Sequence, residues 1–143
     1  MSDRWGRRLF TTGGVVLVLL GLVHSISLFQ ELAPANDTER QLLGLMNSYK
    51  FDLMGSSRSM ENLLTGFSIS FMLAALGFGA LTLLLRRERA GLLKRVAVCN
   101  AVWLAAMLAD SLRYFFVMPT VCLGLALAIF VLAWWKLPAG EKG

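Results

Sequence analysis

Asp110 and Arg113 lie three residues apart in MLADSLRYFF, an otherwise apolar segment at residues 107–116. On an α-helix, residues at this spacing share one face, so the carboxylate and the guanidinium can pair locally. Ionisable side chains in a membrane segment are costly unless they are paired or reach water, and they often mark a functional site. The pair therefore indicates either a ligand or proton site, or a polar latch that holds helices together.

Other polar side chains are expected in the same layer, at the ends of three helices. His24 comes late in the first apolar run, and a neutral imidazole needs a partner for its N–H, for which Asp110 or Glu61 is the expected acceptor. Together these side chains would form a polar cluster at one mouth of a helix bundle. The candidate ligand-binding residues are His24, Arg58, Glu61, Asn62, Asp110, Arg113 and Tyr114.

The elements that position this layer are predicted from hydropathy. The chain has 143 residues, 57% of them hydrophobic, and a mean hydropathy of +0.64. A bilayer core needs about 20 apolar residues per helix. We expect one all-α membrane domain over residues 1–143, a four-helix bundle with spans at about 9–30, 60–85, 93–116 and 119–136. The short turn between the last two spans predicts an antiparallel helix pair. An alternative reading makes the first run a cleaved signal peptide, with Ala33, Pro34 and Ala35 at the cleavage site.

Charge predicts the orientation of the spans. Arginine and lysine precede the first span, occupy the 86–95 loop and end the last span. The long first loop is instead rich in acidic residues, namely Glu31, Asp37, Glu39, Asp52 and Glu61. Because basic loops stay in the cytoplasm, we expect both termini there, in the cell inner membrane, with the polar layer on the periplasmic side. The net charge of +5 then reflects topology rather than nucleic-acid binding. Membrane lipids are the expected partners, with a second copy or another membrane protein as a further partner.

Local patterns predict helix ends and a helix-packing face. Thr38, with Gln41 three residues later, has the spacing of a capping box before a short amphipathic helix in the outer loop. Ser59 is placed to cap the second span. Small residues along that span would let a neighbouring helix approach closely. The predicted packing residues are Gly66, Ser70, Ala74 and Gly77.

No residue pattern predicts a reaction, a metal or a cofactor. Cys99 and Cys122 should differ in depth by roughly 17 Å, which is too far for a disulfide. His24 is the single histidine, so a pair of histidines for haem is absent within one chain. We therefore expect no catalytic residues, no metal and no resident cofactor.

The stretch 51–85 resembles a family of small four-span bacterial membrane proteins named after a leptospiral open reading frame. The resemblance rests on Gly55 before "RSM" at residues 58–60, then "GFS" at 66–68 and a Gly/Ala-rich helix. It implies a four-span layout and carries no activity. The family often has a His or Tyr between the two motifs, where this chain has Asn62 and Leu64, a departure that argues against a shared metal site.

Two other classes remain as alternatives, a small-molecule transporter and a membrane-embedded enzyme. Small multidrug transporters need a carboxylate deep in span one, which this chain lacks. Four-helix enzymes of glutathione and eicosanoid metabolism carry paired charged motifs in span two, which are also missing. The favoured hypothesis is a binding or accessory protein of the inner membrane with a polar cluster at its periplasmic mouth.

Overall fold

The computed structural model describes residues 2–30 and 33–138; Glu31, whose charge entered the orientation argument, and Leu32 lie outside them with both chain ends. Five α-helices account for most of the described chain. They are α1 (Ser2–Ser27), α2 (Asp37–Ser48), α3 (Met60–Leu84), α4 (Ala90–Tyr114) and α5 (Val117–Lys136). A short hairpin, β1 (Lys50–Leu53) and β2 (Ser56–Ser59), precedes α3, and one 3-10 turn (Leu85–Arg87) follows it. The predicted all-α class is confirmed.

Four of these helices, α1, α3, α4 and α5, are long and apolar enough to cross a membrane. The predicted spans match them, although α1 begins at Ser2 instead of near residue 9. The basic segment before the apolar run continues the helix, since arginine favours helix and Arg7 Nε pairs with Asp3 Oδ2 one turn earlier at 3.3 Å. Large side chains such as Leu84, Val102 and Leu125 point outward from their helices, as lipid-facing residues do.

The chain divides into two compact units. Unit 1 contains residues up to Leu20 and from Ala75 onward, and unit 2 contains Gly21 to Ala74. In unit 1 each helix buries one stripe whose members recur at spacings of three and four residues, the pattern of closely packed bundles. On α5 the stripe is Leu123, Ala126, Phe130 and Ala133; on α4 it includes Leu93, Ala97, Asn100 and Leu104; on α3 it is Ala75, Gly79 and Thr82.

Glycines of α1 and α3 allow these two helices to approach closely in unit 1. A Cβ added to Gly79 would lie 2.8 Å from the Val18 backbone nitrogen and 3.0 Å from the Gly14 carbonyl oxygen. The predicted packing residues behave differently, because a Cβ on Gly66 or Gly77 would meet no described atom within 4 Å. Within the described chain, those two glycines therefore do not carry a helix contact. The stripe that does lies on another side of the same helix.

One buried polar contact joins α3 to α4 in unit 1. Asn100 Nδ2 donates to Thr82 Oγ1 at 2.9 Å, and the Thr82 hydroxyl donates to the Phe78 carbonyl oxygen at 2.7 Å. Both side chains are almost completely buried. Because an unpaired polar group costs free energy in an apolar surrounding, this hydrogen bond stabilises the contact between α3 and α4. Trp103 stacks on Phe78 beside them, with ring centroids 4.8 Å apart.

The helices α4 and α5 form the predicted antiparallel pair. Phe115 and Phe116 make the turn, and Pro119 lies in the first turn of α5, where its missing N–H costs no helical bond. The Ser111 and Thr120 hydroxyls are 2.8 Å apart across the pair. Cys99 and Cys122 are free thiols, as the depth argument predicted.

In unit 2 the long loop before α3 forms the predicted amphipathic helix α2, but a different residue caps it. Asn36 Oδ1 accepts from the Glu39 N–H at 2.9 Å, and Glu39 Oε2 accepts from the Ala35 N–H at 2.7 Å. The capping-box prediction at Thr38 is therefore displaced by two residues, and Thr38 lies inside the helix. Asn36 offers the same acceptor as a threonine hydroxyl and places the acidic Asp37 in the first turn.

The hairpin that follows α2 was not predicted. Lys50 pairs with Ser59 and Leu53 with Ser56 across a two-residue turn at Met54 and Gly55, whose φ angles are 53° and 83°. Turns of this kind normally carry Asn-Gly or Asp-Gly, because both central residues need positive φ. With methionine at the first position the usual sequence signal is absent, so the loop reads as irregular.

Candidate functional site

The seven candidate residues belong to two different units of the chain. His24, Arg58, Glu61 and Asn62 belong to unit 2, whereas Asp110, Arg113 and Tyr114 belong to unit 1. The structure therefore describes two groups of candidate residues, each within its own unit. A shared cluster of all seven remains a prediction.

The start of α3 is fixed by a reciprocal pair of hydrogen bonds. The Ser59 N–H donates to Asn62 Oδ1, and the Asn62 N–H donates to Ser59 Oγ, both at 3.2 Å. This is a capping box, with asparagine in place of the usual acidic residue, and it confirms Ser59 as the cap. Ser59 is 2% exposed, so the hairpin end and the first turn of α3 are held together. The bonds orient Asn62 and place Arg58 beside it.

Arg58 is a cation at the end of the hairpin, next to Ser59. It lies on β2 opposite Phe51, and its Nη1 donates to the Ser57 carbonyl oxygen at 3.1 Å. Among the described residues no carboxylate lies within 4.0 Å of its guanidinium. Because a guanidinium carries five N–H donors, most of the hydrogen-bonding capacity of Arg58 is directed to the surroundings.

An open groove of about 510 Å³ begins at Arg58 and follows α3. Its polar end is formed by Arg58 and Asn62, and its length follows α3 to Ser70, about 15 Å from the start of the helix. The space exists because Gly66 has no side chain and no described neighbour within 4 Å of a Cβ position. The lining residues are Arg58, Asn62, Leu63, Gly66, Phe67 and Ser70.

The far part of the groove is apolar apart from one hydroxyl. Phe67 is 71% exposed although it is a large aromatic residue, and Leu63 is half-buried one helical turn before it. The Ser70 hydroxyl donates to the Gly66 carbonyl oxygen at 2.9 Å, so its donor is already used. The groove therefore has a cationic, hydrogen-bonding head and an apolar length.

His24 points into unit 2, against Phe71 of α3. The two rings meet edge to face with centroids 4.9 Å apart. His24 Nε2 is buried and has no hydrogen-bond partner among the described residues. The expected hydrogen bond from this nitrogen to Glu61 does not form, and Glu61 stays exposed in the first turn of α3.

Asp110 and Arg113 do not form an ion pair in the structure. Within the described residues the side-chain ion pairs are Arg7–Asp3 and Arg40–Asp37, so Asp110 and Arg113 remain apart. Arg113 instead lies over the ring of Tyr114, with its guanidinium carbon 5.5 Å from the centroid. Both residues and Asp110 are exposed in the last two turns of α4. In this position the charges can reach water or lipid headgroups without pairing.

No group of three histidine, cysteine, aspartate or glutamate side chains is close enough to hold a metal, within the part of the chain that the structure describes. The groove adds Leu63 and Phe67 to the residues named from the sequence. The sequence signal for these two residues is their spacing of four, which puts two apolar side chains on one helix face just after Asn62. In a hydrophobic helix this signal is masked by many similar spacings.

Fold and groove together define a multi-pass α-helical membrane protein with an open, amphipathic groove beside one helix. No protein-family model matches the sequence, and neither a curated protein nor a solved structure matches it. Residues that carry the family resemblance lie in this region: Gly55 is in the hairpin turn, Arg58 borders the groove, and Gly66 forms its floor. The resemblance itself remains a prediction.

Proposed function

We propose that this protein is a membrane binding or accessory protein that holds an amphiphilic molecule with an acidic headgroup in the groove of unit 2. The observation that carries the proposal is the order of groups along α3, a cation first, then an amide, then apolar surface beside a glycine. A fatty-acid-like carboxylate has the matching order of charge and chain.

The headgroup is assigned to Arg58 and Asn62. Arg58 lacks a carboxylate partner among the described residues, so a carboxylate from outside the chain is its natural complement. Asn62 Oδ1 accepts from the Ser59 N–H, which leaves the Nδ2 donors of this groove-lining residue for a ligand. A bound carboxylate would therefore accept from both side chains.

The chain of the ligand is assigned to the strip beside Leu63, Gly66 and Phe67. An exposed phenylalanine next to an open glycine gives a surface on which an acyl chain gains close contacts. In our proposal this end of α3 faces the periplasm in the cell inner membrane, because the basic segments lie at the other helix ends. The headgroup would then enter from the periplasmic interface.

Arg58→Gln should weaken binding of a fluorescent fatty acid, cis-parinaric acid, by about five- to tenfold. An exposed charge-assisted contact contributes on the order of 1 kcal/mol, which corresponds to this change in Kd. The assay titrates the full chain in detergent and subtracts empty micelles. Lys50→Gln removes a cation from the same hairpin and should change Kd by less than about twofold.

A second variant tests the apolar length. A Cβ at position 66 would meet no described atom within 4 Å, so Gly66→Leu should occupy the groove, lower the affinity and leave the melting temperature unchanged or raised. The methyl ester of the same acid should bind equally to the wild type and Arg58→Gln. Equal losses in Arg58→Gln and Lys50→Gln, or no saturable binding to the wild type, would refute the proposal.

A further inference from the structure

One end of unit 1 carries an excess of arginine without matching carboxylates. Six arginines there are exposed and, within the described residues, none has a carboxylate oxygen within 4.0 Å. We call this set the basic rim: Arg4, Arg8, Arg86, Arg87, Arg89 and Arg95.

Three contacts bring the rim together. Arg7 Nη1 donates to the Glu88 carbonyl oxygen at 2.9 Å, which joins the start of α1 to the turn between α3 and α4. Lys94 Nζ donates to the Leu137 carbonyl oxygen at 3.0 Å, which joins α4 to the end of α5. Gly6 lies against the Leu137 backbone. Arg7 and Lys94 are thus used inside the unit, and the rim arginines surround them.

The acidic groups of unit 1 are too few to neutralise the rim. Its described carboxylates are Asp3, Glu88 and Asp110. Asp3 is engaged by Arg7, and Asp110 is near the opposite end of α4, twenty residues after Ala90. Glu88 is the one described carboxylate of unit 1 left among six arginines, so the described part of the unit carries a positive excess that anions outside the chain can balance.

Tryptophans place the rim at the depth of lipid headgroups. Trp5, Trp134 and Trp135 are all exposed at the same helix ends. Arg8 lies 5.9 Å from the centroid of Trp5, and Lys94 lies 5.3 Å from that of Trp134. Tryptophan concentrates at the boundary between hydrocarbon and headgroups, where such cations meet lipid phosphates.

We propose that the basic rim is a binding surface for anionic phospholipids. The negative phosphodiester of each lipid would balance the positive charge of the arginines. Arginine suits this role because its planar fork bonds two phosphate oxygens at once. A ring of such lipids would hold unit 1 at a fixed depth and give the protein a preference for anionic membranes.

The test uses full-length protein in phosphatidylcholine vesicles that contain either brominated phosphatidylglycerol or brominated phosphatidylcholine. Tryptophan quenching gives the relative association of the two lipids. We expect a preference of about threefold or more for phosphatidylglycerol, reduced by high salt. The triple variant Arg86→Gln, Arg87→Gln, Arg89→Gln should lower it close to unity, and Arg4→Gln with Arg8→Gln should lower it partly.

The matched control removes the same charge away from the rim through Arg40→Gln, Lys50→Gln and Arg113→Gln, and should keep the preference. Loss in this control would assign the effect to net charge and overturn the proposal, as would equal quenching by both lipids in the wild type. Inorganic phosphate at constant ionic strength should leave the preference unchanged; if it abolishes the preference, the rim binds soluble phosphate and the lipid assignment fails. Because this control leaves Arg58 in place, its outcome is separate from that of the groove.

Discussion

Phe130→Ala is expected to lower the free energy of unfolding by about 2–4 kcal/mol, the part of a buried Phe→Ala loss that comes from the cavity. Phe130 is fully buried in unit 1, with its ring edge-on to Phe10 at 6.3 Å and close to Gly13. In lipid there is little solvent gain on helix association, so packing contacts of this kind carry the stability. Unfolding by sodium dodecyl sulfate in mixed micelles, followed by circular dichroism, measures the change.

Leu132→Ala is the matched control for this substitution. Leu132 lies on the same helix but is 44% exposed, so its truncation leaves no enclosed cavity. Its effect should stay within about 0.5 kcal/mol. Similar losses in Phe130→Ala and Leu132→Ala would mean that α5 does not pack through the stripe described for unit 1.

Gly79→Ala is expected to destabilise the protein by about 1–3 kcal/mol, the usual cost of overpacking. The added methyl would approach backbone atoms of Val18 and Gly14 on α1, which cannot move away by changing a rotamer. Helix α1 would have to shift instead. The same titration in mixed micelles reports the loss.

Gly77→Ala provides the comparison two residues away on α3. Its methyl would meet no described atom within 4 Å, so only the helix propensity changes. Alanine is the better helix former by about 0.5–1 kcal/mol, and Gly77→Ala should be neutral or slightly stabilising. A Gly77→Ala variant less stable than Gly79→Ala would return the helix contact to the face predicted from the sequence.

The membrane helices could be predicted from the sequence because long apolar runs and flanking charges are local signals. The choice between two small-residue faces of α3 could not, since Gly77 and Gly79 differ only in what α1 presents to them. The Ser59 cap was predictable. Thr38 and Asn36, two residues apart, are both suitable caps for α2, and only the backbone geometry distinguishes them. The Met54–Gly55 turn lacked its usual residues.

For the candidate site, sequence reasoning found the polar residues but not how they are grouped. Arg58 and Asn62 were named from the sequence, and the structure places both on one groove. Phe67 was missed because an apolar residue in a membrane helix carries no distinguishing signal. The Asp110–Arg113 ion pair was expected from spacing alone, whereas Arg113 lies over Tyr114 instead. A spacing of three residues on a helix permits an ion pair but does not require one.

The central claim, that the groove beside α3 holds an acidic amphiphile, is tested most directly by photolabelling. A fatty acid with a diazirine in its chain is bound to the full-length protein, irradiated, and its attachment sites are mapped by peptide mass spectrometry. We expect labelling within residues 58–70, competed by unlabelled fatty acid and lost in Gly66→Leu. Labelling spread over the lipid-facing sides of α4 and α5, unaffected by competitor or by Gly66→Leu, would contradict the claim.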